Sequence, residues 1–115
     1  MKDLQAELIE LRTEFELTAG EVDFNLRGVS IVYDVKQQEL IVNGHRASAP
    51  LRNGRQRLTV FVDRTGLEVF ASDGLTYVPM PVNVKPDNRS LNVSVKGGSL
   101  KLESLEVHEL RSIWK

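Results

Sequence analysis

The chain has 115 residues, 41% of them apolar, and fifteen Lys and Arg against sixteen Asp and Glu leave a net charge of −1. That is room for one domain with one core, and about two-thirds of the unfolded surface should be buried on folding. The balanced charge offers no basic surplus for phosphates, which argues against nucleic acid or an anionic membrane as the main partner; the absence of cysteine excludes disulfides, thiolate catalysis and Cys-based zinc.

Residues 1–7 are read as the end of a linker, and 8–115 as the domain. The charges of Lys2, Asp3 and Glu7 stand where a signal peptide needs an apolar stretch, and no apolar run approaches the ~20 residues of a membrane-spanning helix. From there the dominant period is two. Ile9, Leu11, Thr13, Phe15 and Leu17 fill one face while Glu10, Arg12, Glu14 and Glu16 fill the other, the pattern of a half-buried antiparallel strand. Val22, Phe24 and Leu26 alternate with Asp23, Asn25 and Arg27 in the same way. Further strands are expected over residues 30–35, 39–43, 57–63, 67–72, 76–84, 90–96 and 100–110, separated by turn chemistry such as Asn43-Gly44, Asp73-Gly74 and Gly97-Gly98. Many short strands at this spacing predict an all-β fold, a sandwich or barrel. In the last strand Leu100 and Leu102 share one parity, Leu105 and Val107 the other. One extra residue near Glu103-Ser104 restores the inward direction, so a β-bulge is expected there.

The strands at 57–63 and 67–72 form a hairpin. A two-residue loop at Thr65-Gly66 sets Val62 opposite Val69, Val60 opposite Ala71 and Phe61 opposite Phe70. Leu58, Val60, Val62, Val69 and Ala71 then make the core face, and the reverse face carries two neighbouring phenylalanines, Phe61 and Phe70. Such a pair is covered by something: a loop or terminus of this domain, or a second domain docked upon it. The same register places Asp63 opposite Glu68. Two facing carboxylates resemble a retaining glycosidase pair, which sits about 5 Å apart. Nothing nearby supplies the apolar pocket that would raise one carboxyl pKa, and a structural cluster with Arg57 and Arg64 is the plainer reading.

Other chemistry is sparse. His45 and His108 have no second ligand at metal spacing, so no metal or catalytic histidine is expected. Asn88-Arg89-Ser90 and Asn92-Val93-Ser94 fit a glycosylation sequon. Among seven aromatic residues, Tyr33, Tyr77 and Trp114 are the candidates for a sugar-stacking platform, with Trp114 better suited to pin the C-terminus into a groove.

The run Val62-Asp63-Arg64-Thr65 followed by Glu68-Val69-Phe70, then Asp73-Gly74, resembles a signature of the C-terminal β-sandwich of glycoside hydrolase family 32, the invertases, levanases and fructosidases. Tyr33-Asp34-Val35 with Glu39-Leu40 and Asn43-Gly44 is similar to that family's tyrosine-aspartate hairpin, and Leu105 through Trp114 to its closing strand. Gly66 departs from the more usual serine. The resemblance runs from about Glu14 to Lys115. It implies a jelly-roll-like sandwich of two antiparallel sheets, of concanavalin A-like lectin/glucanase type, packed beside a five-bladed catalytic propeller. The family's catalytic motifs, Trp-x-Asn-Asp-Pro, Arg-Asp-Pro and Glu-Cys, do not occur in this sequence, so no catalytic residue and no cofactor carries over. The implied role is a non-catalytic module that stabilises the propeller and in some members mediates dimers. The implied parent is a bacterial, secreted or periplasmic enzyme acting on sucrose or fructans. Phe61, Phe70, Asp63, Arg64, Glu68 and Trp114 are the expected interdomain contacts, and Tyr33 and Tyr77 the expected glycan contacts. A stand-alone fructan-binding module is the alternative.

Overall fold

The computed structural model describes residues 6–63, 65–82 and 91–112. Its strands are β1 (Ala6–Leu17), β2 (Glu21–Leu26), β3 (Val29–Asp34), β4 (Glu39–Val42), β5 (His45–Ser48), β6 (Gln56–Val62), β7 (Gly66–Ala71), β8 (Thr76–Pro81), β9 (Leu91–Lys96) and β10 (Leu100–Ser112). They form two five-stranded antiparallel sheets, ordered β10-β1-β6-β7-β8 (sheet A) and β5-β4-β3-β2-β9 (sheet B). This is the two-sheet sandwich that the alternation and the family resemblance lead one to expect.

Two elements differ from the expectation. β1 starts at Ala6, inside the stretch read as linker, because β10 continues beside it and offers backbone partners as far as the pair Ala6 with Ser112. β5 has no apolar alternation in His45-Arg46-Ala47-Ser48 and left no strand signal. It forms because β4 supplies a ladder from Val42–His45 to Glu39–Ser48, assisted by an Arg46–Glu39 ion pair at 3.0 Å.

Every second residue of the central strands points into one shared core. Leu11 and Phe15 of β1, Leu58, Val60 and Val62 of β6, and Leu67, Val69 and Ala71 of β7 meet Val22, Phe24, Ile31, Tyr33, Leu40 and Val42 from the opposite sheet. Phe15 links the layers. Its ring lies 5.6 Å from that of Phe24 and 6.0 Å, edge-on, from that of Tyr33, the tilted geometries that aromatic pairs favour.

The sheets are stitched at one side by polar groups. Tyr33 donates to the carbonyl of Ala49 at 2.7 Å, and Thr76 of β8 donates to the carbonyl of Ser48 of β5 at 2.7 Å. Fully buried Gln56 uses its whole amide. Its oxygen accepts from the backbone N–H of Ser72 (2.7 Å) and Arg57 (2.9 Å), and its nitrogen donates to the Ala49 carbonyl and the Ser72 hydroxyl, both at 3.3 Å. At the molecule's end the β1–β2 and β9–β10 turns are zipped together: Thr18 N–H donates to the Ser99 carbonyl at 3.1 Å, and Ser99 N–H to the Thr18 hydroxyl at 2.9 Å. The two turns touch backbone to backbone. A Cβ at Gly20 would run into the Lys96 carbonyl, and one at Gly98 into the Ala19 carbonyl.

The bulge falls where the parity change puts it. Glu14 pairs with Ser104 and Phe15 with Leu102, leaving Glu103 as the extra residue, and Thr13 donates its hydroxyl to the Ser104 carbonyl at 2.9 Å. Leu100, Leu102, Leu105 and Val107 therefore all stand on the inner-face side of β10, opposite Leu17, Phe15, Thr13 and Leu11.

Candidate functional site: the outer face of sheet A

The residues singled out in the central hairpin gather on the outer face of sheet A, in a register two residues from the expected one. Val62 pairs with Leu67, Phe61 with Glu68, Val60 with Val69 and Thr59 with Phe70. The shift is even, so every side chain keeps its face. A two-residue loop needs φ above zero at Thr65 (type I′) or glycine in its place (type II′), and a β-branched residue meets neither demand. The chain instead makes a four-residue turn closed by Asp63 N–H donating to the Gly66 carbonyl at 3.0 Å. Asp63 caps it from the side chain, accepting from the N–H groups of Thr65 (2.8 Å) and Gly66 (2.7 Å). A Cβ at Gly66 would sit 3.6 Å from the Asp63 carboxylate, an ordinary contact, so the family's usual serine would fit.

Asp63 and Glu68 thus do not face one another, and the glycosidase-like pair dissolves. Glu68 instead accepts from the Tyr77 hydroxyl at 2.8 Å. That hydrogen bond, with lesser contributions from partial desolvation and the carboxylate's charge, raises the Tyr77 pKa above the ordinary phenol value. Arg57, the other expected partner, turns to Glu14 at 3.4 Å and Asp73 at 3.6 Å. Arg64 and Trp114 lie outside the described residues.

Phe61 and Phe70 are neighbours, as expected, and both remain partly exposed. Their centroids are 6.1 Å apart, edge-on. Tyr77, expected as a glycan contact, joins them, which the sequence does not foretell: β7–β8 pairing puts it opposite Phe70, where the two rings stack at 4.8 Å and 27°. Tyr77 itself is 48% exposed. Pro79 and Pro81 extend this apolar strip along β8. Beside it runs a groove of about 580 Å³ lined by Phe61, Glu68, Pro79 and Met80, among others.

Next to the rings lies a charged belt. Glu14 meets Arg55 at 3.5 Å as well as Arg57, Asp73 meets Arg52 at 3.7 Å, and Lys101 bridges Glu16 (3.8 Å) and Glu103 (3.5 Å). The Glu103 carboxyl feels two opposed influences, partial desolvation pushing it up and the nearby cations Lys101 and Arg55 pulling it down. The second set wins, and its pKa falls below the usual value. The Glu10-Arg12-Glu14-Glu16 side of β1 was legible as a polar face, but its partners arrive from turns that no local pattern connects to it.

Tyr33 requires a correction. It is fully buried against Phe15, with its hydroxyl committed to Ala49, and cannot stack on a sugar. It occupies an inward position of β3, a strand covered by the opposing sheet. His45 and His108 are exposed on β5 and β10. Among the described residues no group of three or more His, Asp or Glu could hold a metal ion, and no helix is long and apolar enough to cross a membrane.

Two antiparallel layers around an apolar centre, with rings and ion pairs displayed on one outer face, define a lectin-like β-sandwich. The fold matches that of galectin LEC-6 from Caenorhabditis elegans with a TM-score of 0.66 over 87% of this chain and 81% of that one, at 14% identity. Exo-inulinase from Aspergillus awamori contains the same fold, with a TM-score of 0.74 over 94% of this chain and 25% of the inulinase, at 19% identity. The sequence is 27% identical over 129 residues to a levanase of Bacillus subtilis (strain 168), covering 91% of this chain and 19% of the levanase. Residues 2–109 match the model of the glycosyl hydrolases family 32 C-terminal domain. The chain belongs to that family, and it spans about a fifth of the levanase it resembles.

Proposed function

We propose that this chain acts as the non-catalytic C-terminal sandwich of a fructan- or sucrose-cleaving glycoside hydrolase, and that it supports the catalytic propeller through the outer face of β6, β7 and β8. The observation that carries this reading is the Phe61–Phe70–Tyr77 row, in which the central Phe70 ring packs against both others and which no described segment fully covers. Aromatic clusters of this kind are the usual anchors of protein interfaces. Asp63, Glu68 and the charged belt form a polar rim around it, and Arg64 and Trp114 complete the proposed contact set. The acids are ill placed for hydrolysis. Asp63 is committed to its turn and Glu68 to the Tyr77 hydroxyl on an open face, and the two do not face one another.

The test is a hybrid enzyme in which this chain replaces the matching part of the Bacillus subtilis levanase. Changing Phe70→Ser together with Tyr77→Ser is expected to lower the hybrid's inactivation temperature by several degrees while shifting the melting of the isolated chain much less. Equal shifts in both would end the docking reading. Hydrolysis of sucrose or levan by the purified chain, lost on Glu68→Gln, would end the non-catalytic one.

A fructan-binding module is favoured by one observation, the Tyr77 ring lying open to solvent with a carboxylate and a groove at its side. Titration of the chain with levan, inulin and sucrose separates the two readings. Millimolar or tighter binding that is lost in Tyr77→Ser supports the second.

A further inference from the structure

The edges of the two sheets are not protected alike. Natural sandwiches blunt edge strands with proline, charge or brevity, because a bare edge pairs with another chain. β8 carries Pro79 and Pro81 in its six residues. β5 is four residues long and begins with His45 and Arg46. β10 runs thirteen residues, Leu100–Ser112, with neither proline nor glycine, and among the described residues only β1 pairs with it. Its inner-face side chains stay unusually open for positions that face a core: Leu102 is 42% exposed, Leu105 38% and Val107 47%. On the opposing sheet the edge strand β9 adds Val93, 36% exposed and paired with buried Phe24.

We propose that this edge is the contact for a second copy of the same chain, with the two β10 strands pairing antiparallel about a two-fold axis between Glu103 and Ser104. The bulge selects that register. Inner-face residues have one parity before Glu103 and the other after Ser104, so a strand paired with itself keeps apolar against apolar only when the bulges meet. Leu102 then faces Leu105 of the copy, and Leu100 faces Val107. On the outer side the same register brings Lys101 opposite Glu106 of the copy, an opposite-charge pair repeated on both sides of the axis. Lys101 and Glu106 have side chains 72% and 61% exposed, so both can reach across, Lys101 by turning from Glu16 and Glu103, and Glu106 by turning from His108. Sheet A would continue unbroken through both copies. The contact lies at the β10 edge, away from the aromatic cluster on β6–β8, so it stands or falls independently of the proposed propeller docking.

The absence of cysteine makes the test direct. Leu102→Cys and Leu105→Cys chains, each purified alone, are expected to give little disulfide dimer, because in this register like residues lie about 10 Å apart along the strand. Mixed under oxidising conditions, the two should cross-link as a heterodimer. Sedimentation should show the parent chain dimerising, Lys101→Glu and Glu106→Lys each weakening the dimer about tenfold, and the double charge swap restoring it. A chain that stays monomeric at millimolar concentration overturns the proposal. So does a dimer that is indifferent to both charges, or a Leu105→Cys thiol in a monomer that resists labelling, which would mean that a segment of the same chain covers the strand. Circular dichroism of each variant separates loss of pairing from loss of fold, and the charge variants, at exposed positions, keep the test open if a cysteine variant misfolds.

Discussion

Replacing Gln56 by methionine isolates the polar node that ties three segments of the sandwich together. Methionine nearly matches the shape, so the change removes hydrogen bonds without opening a large cavity. The losses are unequal. The Ala49 carbonyl keeps the Tyr33 hydroxyl, and the Ser72 hydroxyl keeps the Pro50 carbonyl at 2.7 Å. The backbone N–H of Ser72 has its bond to Gln56 at 2.7 Å in a residue with no exposed surface. Orphaning that donor costs about 1–3 kcal/mol, and the other bonds add about 1 kcal/mol together once the water alternative is counted. The expected destabilisation is about 2–4 kcal/mol, which for a domain of this size lowers the melting temperature by about 8–16 °C. Urea titration followed by circular dichroism measures it, and the slope of the transition should not change. Gln56→Glu gives a second reading of the same node. It keeps an acceptor for Ser72 but turns a carboxylate oxygen toward the Ala49 carbonyl. Its folded pKa should therefore rise, so its stability matches the parent best at acid pH and falls as pH rises through that value. A Gln56→Met chain within 0.5 kcal/mol of the parent would show that the node is not where the sheets are held.

Gly98→Ala should cost about 1–3 kcal/mol or more in the same titration, because its Cβ meets the Ala19 carbonyl, a backbone group that cannot swing aside as a side chain would. Gly54→Ala, at a φ of +75° with nothing within 4 Å, should show only the left-handed strain of about 1 kcal/mol; a smaller loss at Gly98 than at Gly54 would refute the close-packed turn. At alkaline pH the burial of Tyr33, reinforced by Asp34 and partly offset by Gln56, holds its phenol pKa above the ordinary 10.0. Its contribution is whole below the unfolded pKa and is lost as pH rises through the folded one. Urea midpoints should therefore fall above about pH 10, less steeply in Tyr33→Phe, whereas a flat profile would contradict the assignment. Absorbance at 295 nm should show Tyr77 also titrating late in the parent, and earlier in Glu68→Gln.

The sequence by itself determined the fold class, the inward face of nearly every strand and the position of the bulge. Each of these follows from a period of two that any reader can count, because backbone geometry alone sends alternate side chains to opposite faces. The parity change from Leu102 to Leu105 is such a count, and Glu103 is where it lands. Tertiary structure decided the rest. β5 exists only because β4 lends it a ladder. The hairpin register depended on where the Asp63 carboxylate found N–H groups, so the facing acids inferred from pairing came apart while the faces survived. Tyr33 and Tyr77 look alike in sequence, and which of them meets solvent depended on which strand the opposite sheet covers. Likewise the rings of Phe61, Phe70 and Tyr77 meet only because β6, β7 and β8 lie side by side. Alternation is local and written along the chain, whereas the neighbour across a sheet is chosen by packing that involves the whole molecule.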